Sequence, residues 1–443
     1  MSIDLQPPLQ TLAEWIRAHA ANHEARLALL ARARRVRAGE EEISIDTRRE
    51  LAAELERWRY RLLDRQADRP AQECDALADA LDTLANDVAQ RASRPSRQVR
   101  RALGSEAADA DSIVQAMECL RESLPLQRAI RRATELTGRG FNGVSARRVL
   151  LYAPLYLSSH CSNHCVYCGF RGPDTIARRH LSVAEAIDQA EILLTRGIRH
   201  ILLVAGDFPS LTTTAYFAEI ARALNGRGIA PAIEIAPQST DFYAEMAAAG
   251  VCGVTLYQET YDEALYALYH PRGSKASFDW RLEGLERAAE AGIRRLGLGI
   301  LLGLADPAED LRALMRHGAY LRSRFSDHPL AFSLPRIHRA PDNFKVPYPV
   351  DDETFVRLYC ALRIAFPDAE LVLSTRESAP LRNHLAGICI TQMSAGSSTA
   401  PGGYDDGTPQ RDGKQFPVSD HRTPAEVSTW LREAGLEVWW GFR

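Results

Sequence analysis

The stretch Val149-Leu-Leu-Tyr-Ala-Pro-Leu-Tyr-Leu-Ser-Ser-His160-Cys-Ser-Asn-His-Cys-Val-Tyr-Cys-Gly-Phe170 joins an apolar run to three cysteines spaced C-x3-C-x2-C. The apolar run predicts a β-strand, and the cysteines follow its end. Three thiolates on one short loop can hold three irons of a [4Fe–4S] cluster, leaving the fourth iron for an outside ligand. Two other readings compete: a structural zinc ion with His160 or His164 as fourth ligand, or cysteines packed as small hydrophobes. A zinc site commonly draws a second ligand pair from a distant knuckle, and no second C-x2-C occurs in the chain.

Outward from this loop the chain has two textures. From residue 149 on, short apolar stretches at 149–157, 199–205, 230–236, 251–257, 295–302, 330–334, 370–374 and 388–393 alternate with helical ones such as Val183 to Arg196 and Trp280 to Ala291. Strand–helix units repeated in this way predict an α/β fold, a TIM-type (β/α)8 barrel over residues 149–443; only six strands would leave a partial barrel. Residues 1–148 read instead as a helical N-terminal extension or cap. They are rich in Ala, Arg, Leu and Glu, with breaks at Arg69-Pro70 and Arg94-Pro95-Ser96.

Composition excludes several function classes. The N-terminus has no basic segment followed by an apolar one, so eight cysteines in 443 residues are expected as thiols in a reducing, cytoplasmic setting. No stretch approaches the apolar length of a membrane span. A formal net charge of −3 leaves no footprint for nucleic acid, and the arginines at Arg128, Arg131 and Arg132 are expected on a solvated helix face. Cys74, Cys119, Cys252, Cys360 and Cys389 are scattered singly and are expected to pack.

In a (β/α)8 barrel the active site lies at the C-terminal ends of the strands. Polar and glycine signals fall there: Ala205-Gly-Asp207, Tyr257-Gln-Glu-Thr260, Gly297-Leu-Gly-Ile-Leu-Leu-Gly303, Ser333-Leu-Pro-Arg336, Ser374-Thr-Arg-Glu377 and Gln392-Met-Ser-Ala-Gly-Ser397. Singly, an Arg-Glu at a strand end is more often an ion pair, and a Gly-rich strand more often close packing.

The cluster loop, with Tyr167 before its last cysteine, resembles that of the radical S-adenosylmethionine (SAM) enzymes. The phrases Ala153-Pro-Leu-Tyr-Leu157, Tyr257-Gln-Glu-Thr-Tyr261, Asp279-Trp-Arg-Leu282, Ser374-Thr-Arg-Glu377 and Ser394-Ala-Gly-Ser-Ser-Thr-Ala-Pro-Gly-Gly-Tyr404 narrow this to the aromatic amino-acid lyases. That group holds the tyrosine lyases ThiH (2-iminoacetate synthase) and HydG and, more distantly, the tryptophan enzyme NosL. The resemblance covers residues 149 to 440. It implies that Cys161, Cys165 and Cys168 bind a [4Fe–4S] cluster, that Tyr167 meets the adenine of SAM, and that Asp207, Glu259 and Arg281 take its amino group, ribose hydroxyls and carboxylate. It further implies that Arg376 holds the substrate carboxylate while Tyr156 and Ser394 line the amino-acid pocket. The implied reaction starts from a 5′-deoxyadenosyl radical and breaks Cα–Cβ of L-tyrosine, giving 2-iminoacetate (dehydroglycine) and p-cresol. No general base of unusual pKa is expected. The implied partners are the amino-acid substrate, an electron donor such as flavodoxin or ferredoxin, and a thiazole-synthase-type protein of thiamine biosynthesis.

Three departures bear on the substrate. The chain reads Ser158-Ser159-His160-Cys161 where the family commonly has Tyr before the first cysteine, and Asp207 stands where Glu is usual. No cysteine follows Cys389, which argues against the carbon monoxide and cyanide chemistry of HydG. Tryptophan, or another amino acid in a specialised pathway, stays open as the alternative substrate.

Overall fold

The computed structural model describes residues 147–441 apart from 173–175, 342–343 and 406–412, residues 109–140 apart from 122, residues 96–104 and 23–38, and scattered positions elsewhere up to residue 88. Eight strands form a closed parallel barrel: β1 (Arg148–Ser158), β2 (His200–Ala205), β3 (Ala230–Glu234), β4 (Gly253–Thr255), β5 (Arg295–Gly299), β6 (Leu330–Ser333), β7 (Glu370–Leu373) and β8 (Gln392–Ser394). Each pairs with the next, and β1 closes the ring on both sides, with Ala153 opposite Ile201 and Leu151 opposite Met393. β1 is buried along almost its whole length, as a parallel strand covered on both faces should be.

The predicted strand at 388–393 is corrected. A helix runs over Ala379–Ile388, and the strand is only Gln392–Ser394. The amides of Cys389 and Ile390 still bond back to Leu385. A short apolar run cannot tell a buried helix end from a strand. The helix expected from Trp280 to Ala291 is likewise two, Phe278–Leu282 and Gly284–Glu290. A ninth strand, β9 (Glu437–Trp439), was not anticipated; it pairs in parallel with the first residues of β1.

The barrel is not filled as such barrels usually are, by layers of bulky branched side chains. Ala232, Gly297, Ala331 and Ser333 face inward from β3, β5 and β6. A Cβ on Gly299 would lie 2.4 Å from the Tyr257 ring, so glycine is what lets that ring stand inside the barrel. Among the described residues one cavity opens at the C-terminal mouth and another lies deeper, and both touch Thr255 and Tyr257.

Before the barrel come α1 (His23–Ala38), α2 (Ser96–Gly104), α3 (Asp111–Glu118) and α4 (Leu126–Gly140). Ile113, Ala116, Ala129 and Ala133 join the core that surrounds the barrel, and Arg357 donates to the carbonyls of Cys119 and Leu124. Arg128, Arg131 and Arg132 are exposed on the opposite face of α4. Leu30, Leu55, Leu81 and Val88 belong to a separate core. The breaks at Arg69-Pro70 and Arg94-Pro95, and Cys74, lie outside the described residues. Among those residues no helix is long and apolar enough to cross a membrane.

Candidate active site

The cysteine loop follows β1 and is pinned by backbone bonds to two segments: Ser162 N–H to Asp207 C=O, and His164 N–H to Arg272 C=O with Val166 N–H to Tyr269 C=O. Gly206 makes the first contact possible, because a Cβ there would sit 2.3 Å from the His160 carbonyl. Cys161, Cys165 and Cys168 are free thiols on the wall of the mouth cavity. Burial pushes the Cys161 thiol up to about 11 and Cys165 higher still. They become thiolates when a cation offsets that burial.

The donor set fits a cluster. Asn163 Nδ2 donates to Cys161 Sγ (3.7 Å), while Phe170 N–H and Gln415 Nε2 donate to Cys168 Sγ (3.4 and 3.8 Å). Hydrogen bonds of this kind tune cluster sulfurs. Among the described residues no three His, Cys, Asp or Glu side chains converge on a point that could hold a single ion.

The residues expected to meet SAM gather around the same cavity, with one exception. Asp207 lines it and accepts hydrogen bonds from Asn163 Nδ2 (3.0 Å) and Ser274 Oγ. Glu259 and Arg281 also line it, 3.3 Å apart. Burial alone would raise the Glu259 carboxyl, but Lys275 at 2.5 Å and Arg281 outweigh it and hold the pKa below the ordinary value. Glu259 has φ +72°, a conformation that costs a non-glycine residue energy and that functional sites retain. Tyr167 is the exception: it lies outside the lining of this cavity, with its hydroxyl on His270 Nε2 (2.7 Å) and Lys275 5.5 Å from its ring. His270 Nδ1 faces the Tyr266 carbonyl, so Nε2 is the acceptor.

The residues expected at the substrate meet a segment that sequence reasoning missed. Gln415 Oε1 accepts from the Tyr156 hydroxyl (2.7 Å), and Phe416 stacks on the Arg376 guanidinium with 3.3 Å from Cζ to the ring centre. Arg376 does not line the mouth cavity, but its charge acts on Tyr156, Glu234 and Glu259. Among the described residues its guanidinium makes no hydrogen bond or ion pair. Ser394 is buried; its Oγ accepts from Thr375 N–H (3.0 Å) and bonds to the Tyr152 phenol. By contrast, the neighbouring signals Arg336 and Glu377 bind each other, and His338 Nε2 is also 2.9 Å from Glu377. That pairing is structural.

Lys275, Glu234 and Gln415 were missed. Lys275 carried a faint signal, four residues before Asp279-Trp-Arg-Leu282. Glu234 ends β3 and could have been read as a strand-end acid. Gln415 sits in a stretch with no motif.

The sequence matches the Radical SAM superfamily over residues 155–318 and the Biotin and Thiamin Synthesis associated domain over 333–437. The 2-iminoacetate synthases of Salmonella typhimurium and Escherichia coli are each 35% identical over 355 residues, 76% of this chain and 91% of theirs. The fold superposes on the FeFe-hydrogenase maturase HydG from Carboxydothermus hydrogenoformans with a TM-score of 0.69 at 30% identity, covering 88% of this chain and 84% of that one. An identity of 35% across nine-tenths of those relatives, on a barrel whose cysteine loop opens into a shared cavity, places the chain in the 2-iminoacetate synthase family of radical SAM enzymes, which work with a [4Fe–4S] cluster and SAM.

Proposed function

We propose that this enzyme cleaves the Cα–Cβ bond of a free aromatic amino acid, with L-tyrosine giving 2-iminoacetate and p-cresol. Arg376 carries the proposal: a guanidinium stacked on Phe416, without an anion among the described residues, beside the barrel mouth. Such a group is a receptor for a planar carboxylate, which it can grip in a bidentate fork. The likeness to the 2-iminoacetate synthases favours tyrosine over tryptophan as the substrate.

In this reading Cys161, Cys165 and Cys168 hold the cluster. Asp207 receives the SAM ammonium, Arg281 with Lys275 its carboxylate, Glu259 its ribose hydroxyls, and Tyr167 its adenine. When bound, the cluster and SAM supply a 5′-deoxyadenosyl radical. The protein's share is placement: Arg376, Tyr156 and Ser394 fix the amino acid, and the barrel wall keeps water away from it. A flavodoxin or ferredoxin would supply the electron. A thiazole-synthase-type partner would collect the hydrolysable imine.

The test is anaerobic reconstitution followed by product analysis with tyrosine, tryptophan and phenylalanine in turn. Tyrosine should give p-cresol together with glyoxylate, the hydrolysis product of the imine. 5′-Deoxyadenosine formation that no amino acid stimulates would overturn the proposal.

A further inference from the structure

Glu234 is the last residue of β3, where alternate side chains point into the barrel: Ala232 packs in the interior, and Glu234, two residues on, lines the mouth cavity. It caps no helix, and among the described residues it forms no ion pair. Charged and titratable groups face it from several elements: Arg376 after β7, Tyr257 and Glu259 after β4, and Arg281 on the helix Phe278–Leu282. Burial prevails over Arg376 and the hydrogen bond from Tyr257, and pushes the carboxyl up to about 7. An acid turned into a cavity with a tyrosine hydroxyl but no paired cation is costly to keep, and such groups concentrate where a ligand uses them.

An amino acid supplies the missing partner. It is a zwitterion whose ammonium and carboxylate sit on one carbon, and Arg376 is the cation whose charge acts most strongly on Glu234. We propose that Glu234 receives the α-ammonium of the substrate and takes a proton from it, an assignment that rests on the amino-acid lyase reading above. One N–H bond breaks and one O–H bond forms on the carboxylate, leaving a neutral amine and a neutral carboxylic acid. No oxidant or further reactant is needed. A carboxyl titrating near neutrality suits this exchange better than an ordinary one, since it is ionised when the substrate arrives and still basic enough to accept. A neutral amine can then lose a hydrogen atom without leaving a full positive charge on nitrogen.

The experiment compares two ligands and two proteins. Binding of L-tyrosine and of its des-amino analogue, 3-(4-hydroxyphenyl)propionate, is measured on the full chain and on Glu234→Gln, both carrying iron and sulfide. The parent should prefer tyrosine by about tenfold or more, and the variant should bind both alike, as expected when one buried charge-assisted contact is lost. The variant should keep the parent's iron content and SAM affinity. Its tyrosine turnover should drop by about a hundredfold and lose the fall in rate that the parent shows below neutral pH. An undiminished preference for tyrosine in Glu234→Gln, or an unchanged acid limb, overturns the role of Glu234. A parent that binds neither ligand and turns over no amino acid overturns the lyase reading itself.

Discussion

The two sides of the barrel mouth handle buried charge in opposite ways. Toward the cysteine loop the carboxylates already have protein partners: Glu259 is ion-paired with Lys275 and Arg281, and Asp207 accepts hydrogen bonds from Asn163 and Ser274. Toward β3 and β7, Glu234 and Arg376 form no ion pair among the described residues. A site for a cofactor present in every turnover can be built preorganised. A site for a substrate that comes and goes leaves its counter-charges to the ligand, at a cost in stability that the surrounding fold must carry.

The sharpest way to break this contrast is to remove a cluster ligand. Cys165→Ala should abolish the brown colour, reduce iron from about four per chain to background, and end 5′-deoxyadenosine formation altogether. A variant that keeps its iron would show that the paired side does not hold the cluster.

Next in size is Arg376→Ala. It should retain iron and SAM binding yet lose substrate-dependent turnover by about a hundredfold, corresponding to a clamp of about 3 kcal/mol. Arg376→Lys should recover little, because a point charge cannot form the fork. Parent-like turnover in the lysine variant would make Arg376 a general electrostatic contributor rather than a receptor.

The unpaired side also predicts a pH dependence. The folded pKa of Glu234, about 7, lies above the ordinary 4.5, so between those values the native state holds a proton that the unfolded chain has released. Stability from this group is therefore full below pH 4.5 and is lost as pH rises through 7. Glu234→Gln escapes the loss. Its unfolding free energy relative to the parent should rise from near zero at pH 5 to at most about 3 kcal/mol at pH 8. A difference that stays flat across this range would mean that the carboxyl is not destabilised in the fold.

The smallest effect is expected far from the mouth. The apolar residues between Leu30 and Val88 form a core of their own, whereas Arg100 binds Glu263 and Asp279, and α3 and α4 share the barrel's core. We expect a chain lacking residues 1–88 to keep SAM cleavage within about twofold of the parent, since the described apolar residues of that region form a core separate from the barrel's. A truncation reaching residue 148 should instead expose buried apolar surface and lose solubility. Complete loss of cleavage in a folded 1–88 deletion would assign that region a part in closing the site.

Much of this was readable along the chain because the signals are local. C-x3-C-x2-C lies on one loop, and parallel strands are apolar on both faces, so the cysteine loop and seven of the eight barrel strands announced themselves within short windows. The 388–393 stretch failed for the same reason, since over six residues an apolar helix end and a strand look alike. β9 is too short to signal itself and exists only because β1 offers it an edge. Burial pushes the Glu234 carboxyl up to about 7, which no local pattern announces. That value comes from what surrounds the carboxyl, and three of its neighbours, Tyr257, Arg281 and Arg376, lie 23, 47 and 142 residues away in sequence.

Arg336 and Arg376 show the division most plainly. Both are arginines just beyond a barrel strand, and nothing in the letters around them tells an ion-paired guanidinium from one packed on an aromatic ring. Folding gives Arg336 the carboxylate of Glu377 and leaves Arg376 against the face of Phe416. Residue type and local spacing suffice for a metal loop and for strand periodicity, because both are short-range properties of the chain. Whether a charge is satisfied depends on which distant segments close around it, and only the packed barrel supplies those.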